Sequence, residues 1–121
     1  MYFRDEPRHR TPTVSRNLFG APSSVELEGD SDDRRGQVKV TVGIGASTAP
    51  FVDVTFGQAF PVPPFVVVGT MSSNESGVPE WVCQPPTTTG FRVVLTRWKT
   101  IGGAQAPGNG SIYRFSYNAV A

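Results

Sequence analysis

Apolar and polar residues alternate with a period of two through most of the chain after residue 36, and that period predicts strands. Val38, Val40 and Val42 fall on one face, with Gln37, Lys39 and Thr41 between them. Phe51-Val52-Asp53-Val54-Thr55-Phe56 repeats the pattern, with Val52, Val54 and Phe56 together. Phe65-Val66-Val67-Val68 is apolar at every position, as expected of a central strand covered on both faces. Trp81-Val82-Cys83 is a short candidate, and Phe91 to Trp98 is the longest one. Ile112-Tyr113-Arg114-Phe115-Ser116-Tyr117 makes a sixth strand near the end.

The segments between these strands carry turn chemistry. Pro61-Val62-Pro63-Pro64 lacks the donors that a central strand needs and reads as a connection or an edge. Ser72 to Pro79 and Gly102 to Gly110 are polar and rich in Gly and Pro, while Thr87-Thr88-Thr89-Gly90 reads as a turn into the long strand. About six short strands joined this way predict an all-β chain, a small antiparallel sandwich or barrel. The 13 Gly and 11 Pro among 121 residues make long helices improbable.

Charge divides the chain near Arg35-Gly36. Residues 1–35 hold six Arg and seven Asp or Glu, whereas Lys39, Asp53, Glu75, Glu80, Arg92, Arg97, Lys99 and Arg114 are the only charged residues after that point. The first region begins basic, with Arg4, Arg8, Arg10 and Arg16, and ends acidic, with Glu26, Glu28, Asp30, Asp32 and Asp33. Pro7, Pro12 and Pro22 oppose helix and favour extended backbone. One folded β domain is therefore expected over residues 36–121, preceded by an extended N-terminal arm over residues 1–35. Fully extended, the arm would reach about 115 Å. Its separated apolar pairs suggest a tether that orders on a partner, and the anchoring candidates are Tyr2, Phe3, Arg4, Arg8, Arg10, Arg16, Leu18 and Phe19. Extended segments of this kind can dock as an added strand.

Candidate chemistry is sparse. The sole histidine, His9, lies in the arm, so Ser-His-Asp and Cys-His arrangements are not expected. Asp53 alternates with apolar neighbours, while Glu75 and Glu80 sit at a polar loop, which is a poor basis for a glycosidase carboxylate pair. Cys83 is the only cysteine and reads as a small buried residue. Asp30-Ser31-Asp32-Asp33 lacks the Gly and closing Glu of a calcium loop and reads as a solvated charge run. Gly43-Ile44-Gly45 is too short for a dinucleotide fingerprint. No catalytic residue, cofactor or metal is expected, and the chain is read as a non-enzyme. A net charge of +1 gives no field for nucleic acid. The start is charged at once, so no secretion signal is expected, and no apolar run reaches membrane-spanning length.

Three segments resemble the H-type lectin domain, a fold found in snail agglutinins and in phage tail and other virion proteins. These are Val54 to Phe60 followed by Pro63 to Val68, Thr87 to Trp98, and Ser111-Ile112-Tyr113 with Asn118-Ala119-Val120. The resemblance covers residues 50–121 and consists mostly of fold residues. It implies a β-sandwich that forms a homotrimer, and no sugar-binding residue carries over from it. Combined with the arm, it leads to the expectation of a bacteriophage virion structural protein, a capsid decoration or a tail or baseplate component. Such a chain would be made in the host cytoplasm and contact other virion subunits through the arm. The alternative is a lectin module recognising host glycans, for which Trp81, Arg97, Trp98 and Tyr113 are the candidate contacts. A pocket gathering Asp53, Glu80 and an arginine would instead favour an enzyme.

Overall fold

The computed structural model describes residues 10–73, 80–97 and 109–120. The described residues form eight strands and no helix: β1 (Thr13–Asn17), β2 (Ser24–Glu28), β3 (Arg35–Thr41), β4 (Phe51–Thr55), β5 (Phe65–Ser73), β6 (Glu80–Cys83), β7 (Gly90–Arg97) and β8 (Ile112–Val120). They form two four-stranded antiparallel sheets, in the orders β1-β4-β7-β6 and β2-β3-β8-β5. The expected all-β, antiparallel, two-layer architecture is present.

The period-two pattern has the physical meaning it suggested. Val38, Val40, Val52, Val54, Val93, Leu95, Phe115 and Tyr117 all turn inward and are almost fully buried. Rings meet across the two layers, with Trp81 on β6 lying 4.8 Å from Phe115 on β8 and Phe91 on β7 lying 5.4 Å from Tyr117. Their tilted contacts add packing specificity to the apolar burial that drives the layers together.

The expected boundary at residues 35 and 36 does not hold. Residues 13–17 pair in register with β4, and residues 24–28 pair with β3, so each of the two sheets takes one edge strand from the supposed arm. Between them the chain crosses from one layer to the other, and Phe19 inserts into the core with 1% of its surface exposed. The crossing is held by backbone bonds from Gly43 N to Phe19 O (2.9 Å) and from Ser47 N to Leu18 O (2.9 Å). Gly20 sits here at φ 85°, packed so closely on the Ile44 carbonyl that a side chain has no room.

The acidic run is not simply solvated either. Asp33 is fully buried. Its Oδ1 accepts from Gly57 N at 2.7 Å and its Oδ2 from Gln58 N at 3.0 Å, while its own N–H donates to Arg10 O at 2.9 Å. Asp32 Oδ1 accepts from the backbone of Arg34 (2.8 Å) and Arg35 (3.0 Å), closing the turn into β3. The Tyr117 hydroxyl donates to Asp32 O at 2.6 Å. The acids that made this region look disordered are the groups that fasten it to the body. Residues 1–9 lie outside the described residues.

One strand differs from expectation in its place. Phe65-Val66-Val67-Val68 lies in β5 at an edge of its sheet, not at the centre. Val66 and Val68 pack toward the core, but Phe65 is 81% exposed and Val67 67%. The run is apolar on both faces although only one face is covered within the chain.

Candidate functional site

Two of the four residues considered for a glycan surface, Trp81 and Tyr113, are core residues. Trp81 and Tyr113 alternate with outward neighbours and point into the core, 8% and 0% exposed. Tyr113 shares its side of β8 with Phe115 and Tyr117, so the strand's parity buries all three together. Arg97 ends β7 and is paired in register with Glu80. Trp98 lies outside the described residues. The Trp81 indole N–H is buried without a hydrogen-bond partner, a cost its ring burial must offset.

The anchoring candidates also scatter. Phe19 is a core residue and cannot reach another chain. Leu18 is about half exposed, at φ 65°. Arg16 lies on β1 and donates from Nε to Ser23 Oγ at 2.6 Å. The Arg10 backbone is fixed by Asp33 while its side chain is exposed. Tyr2, Phe3, Arg4 and Arg8 lie outside the described residues.

The structure assembles a different group on the outer face of the β1-β4-β7-β6 sheet. Inward Val52 and Val54 force Asp53 outward on β4, and inward Phe91 and Val93 force Arg92 outward on β7. The β4–β7 register sets Asp53 directly opposite Arg92. Arg92 Nε donates to Asp53 Oδ1 at 2.8 Å and Nη2 donates to Oδ2 at 3.1 Å, a two-point fork. The guanidinium also lies 3.9 Å from the centre of the Phe51 ring, two residues along β4 on the same face. Asp53's hydrogen bonds raise the Arg92 pKa above its ordinary value, which keeps the fork charged.

Beside this pair is a recess of about 330 Å³ lined by Asp53, Arg92, Gln84, Pro85, Thr87 and Thr89. The turn that supplies the threonines is ordered by bonds from Thr87 N to Gly90 O (2.9 Å) and from Phe56 N to Thr89 O (2.8 Å). Gln84 N donates to Arg92 O at 2.9 Å, extending the β6–β7 pairing to the recess wall. The recess therefore offers a guanidinium, a carboxylate, a carboxamide and hydroxyls on rigid backbone. That set suits hydrogen bonding to a small polar ligand. Both Asp53 oxygens are already held by Arg92, which opposes its use as a proton acceptor. Glu80 lies elsewhere, with Oε1 accepting from Thr96 Oγ1 at 3.3 Å. The three-residue grouping that would have favoured an enzyme is not assembled.

Two further groups have structural explanations. Glu28 Oε1 accepts from Arg114 Nε and Gln37 Nε2, both at 2.9 Å, and the Arg114 bond first, then the Gln37 bond, lower the Glu28 pKa below its ordinary value. Burial raises the Cys83 thiol pKa, the opposite of what activates a nucleophile. Among the described residues, no group of three His, Cys, Asp or Glu side chains could hold a metal ion.

The Asp53–Arg92 pair is legible only once β4 and β7 are in register, because 39 residues separate its members. Its one sequence signal is the outward parity of both residues within otherwise apolar strands. In comparison with known proteins, no family model, no curated protein and no solved structure matches the chain.

Proposed function

We propose that this chain is a non-catalytic structural protein of a bacteriophage virion, a capsid decoration or tail component that presents its β-sandwich at the particle surface. The observation that carries the reading is the two-layer antiparallel sandwich, into which the segments resembling the H-type lectin domain fall as β4–β5, β7 and β8. The resemblance further suggests a homotrimer. Since residues 13–17 and 24–28 are strands of the body, contact with neighbouring virion subunits falls to residues 1–9, with Tyr2, Phe3, Arg4 and Arg8. Exposed Arg16 and Leu18 can supplement it.

The test is incorporation into particles. The full chain should be found in purified virions by mass spectrometry, and deletion of residues 1–9 should abolish incorporation without altering the far-UV circular dichroism of the isolated protein. Absence of the full chain from particles overturns the virion reading. Normal incorporation of the truncated chain overturns the anchor alone.

A second reading, recognition of host glycans, is favoured by one observation: the polar recess at Asp53, Arg92, Gln84, Thr87 and Thr89. Forked charge pairs beside hydroxyl and amide groups can bond to vicinal hydroxyls at their edges. A glycan array should then show binding that Arg92→Ala removes. No binding by the wild-type chain at millimolar sugar refutes this reading.

A further inference from the structure

The outer face of the β2-β3-β8-β5 sheet ends in an apolar stripe that the fold leaves open. Phe65 and Val67 are 81% and 67% exposed on β5, and Val120 on β8 is 61% exposed. Phe65 and Val120 are direct cross-strand partners, so their side chains adjoin on the same face. Val67 is two residues along that face, opposite Asn118. Gly69 follows on the same side, opposite Ser116, and adds no side chain to the surface. On this face Arg114 pairs with Glu28 and Lys39 with Glu26 farther across the sheet, while exposed Arg35 on β3 stands opposite Asn118, on the side away from Val67.

The four sheet edges are not alike. β1 carries Arg16, β2 carries Glu26 and Glu28, and β6 has four residues with Glu80 and a register shift. Charge, shortness and irregularity are the usual protections against another chain. β5 has nine residues with no charge and no proline, although it is an edge strand, and its one register shift falls between Thr70 and Ser73, beyond the stripe. It is also the strand that carries the exposed stripe.

We propose that Phe65, Val67 and Val120 form the surface through which copies of this chain associate. The occupant is a second copy for two reasons. First, the stripe has no charge, so it can meet itself without like-charge contacts, whereas β2 against its own copy would oppose Glu26 and Glu28. Second, the area fits. The three side chains leave on the order of 300 Å² of apolar surface in water, within the range that marks functional patches. Two copies together would bury about 600 Å², which matches the apolar share of an interface near the lower limit of stable association, about 1,200 Å². Asn118 and Ser116 supply a polar rim. The proposal names a contact surface and needs nothing from the virion reading, since the chain would associate this way whatever its location.

The test is the oligomeric state of the full-length protein by sedimentation equilibrium. The wild-type chain should form a closed oligomer at micromolar concentration, with two or three copies. Val67→Lys should weaken association by about 100-fold or more, because it sets like charges within an apolar contact. Phe65→Ser, which adds no charge, should weaken it less. Both variants should keep the wild-type circular dichroism, since neither residue is in the core. Val82→Lys, an exposed position on β6 of the other sheet, should leave the oligomer intact. A monomeric wild-type chain overturns the proposal. So does an oligomer indifferent to Val67→Lys and Phe65→Ser, or one dissociated equally by Val82→Lys.

Discussion

Replacing Asp33 tests whether residues 10–35 belong to the folded body. The carboxylate is fully buried and accepts two backbone bonds, from Gly57 at 2.7 Å and Gln58 at 3.0 Å. Bonds to a charged group contribute about 1.5–3 kcal/mol each. Desolvation of the carboxylate offsets part of this sum. Both donor residues are exposed, so water can reach their N–H groups once the carboxylate is gone. Asp33→Ala should therefore cost about 3 kcal/mol, a sizeable part of the 5–15 kcal/mol typical of a whole domain. Asp33→Asn keeps one acceptor but turns an amide donor toward the second N–H, and should cost about 2 kcal/mol. With a urea slope of about 1–3 kcal/mol/M, the alanine variant's midpoint should fall by about 1.5 M at unchanged slope. Equilibrium urea unfolding followed by tryptophan fluorescence measures this directly, since Trp81 is in the core. A fall of less than about 0.3 M for both variants would mean that this carboxylate is solvated and that the segment is the tail its composition suggests.

The same fastening leads to two further expectations. Phe19→Ala should destabilise the fold by about 3–5 kcal/mol in thermal or urea unfolding, because the side chain fills the core between the layers; a surface-anchor role would leave stability unchanged. Burial, and then the nearby Asp32 and Asp33, raise the Tyr117 phenol pKa above its usual value near 10. A raised folded-state pKa means that stability is complete below pH 10 and falls as pH rises above it. Tyr117→Phe should lose about 1 kcal/mol at neutral pH with its bond to Asp32 O, and it should flatten the alkaline loss seen in thermal melts between pH 9 and 12; an unchanged alkaline slope would contradict the assignment.

β3, β4, β7 and β8 were legible because apolar residues recur at alternate positions and those rows are buried in the folded chain, while β5 and β6 were legible as short, largely apolar runs between turn segments. β1 and β2 were not, for a physical reason. An edge strand with one covered face needs few apolar residues: Val14 serves β1, and Val25 and Leu27 serve β2. The residues between them are charged or polar, so local composition resembles a disordered tail. Burial of Phe19 and Asp33 depends on partners more than 20 residues away, which no local pattern encodes. Misplacement of the Phe65–Val68 run has another origin. A strand apolar on both faces can be covered by its own chain or left open at an edge, and the two cases read alike in sequence. The aromatic candidates could have been sorted from parity alone, since Tyr113 lies in step with Phe115 and Tyr117. The Asp53–Arg92 pair could not, because strand register is a property of the whole sandwich.

The two outer faces of the molecule now have different chemistry, and their arrangement links the separate readings. The sheets lie back to back, so the Asp53–Arg92 recess and the Phe65–Val67–Val120 stripe look in opposite directions. If copies associate through the stripe, no recess is covered by the contact, and each oligomer displays one per chain. The recess is shallow and its strongest ion pair is satisfied internally, so a single copy can hold a polar ligand only weakly. Several copies on one rigid assembly would gain avidity of about 10²–10⁴-fold on a surface that repeats the ligand. A small domain with one modest site and one uncharged open edge is thus better suited to repetitive display than to acting alone. That consequence holds for a structural module on a particle and for a glycan-binding one. The discriminating property between them is the recess, not the fold or the oligomer.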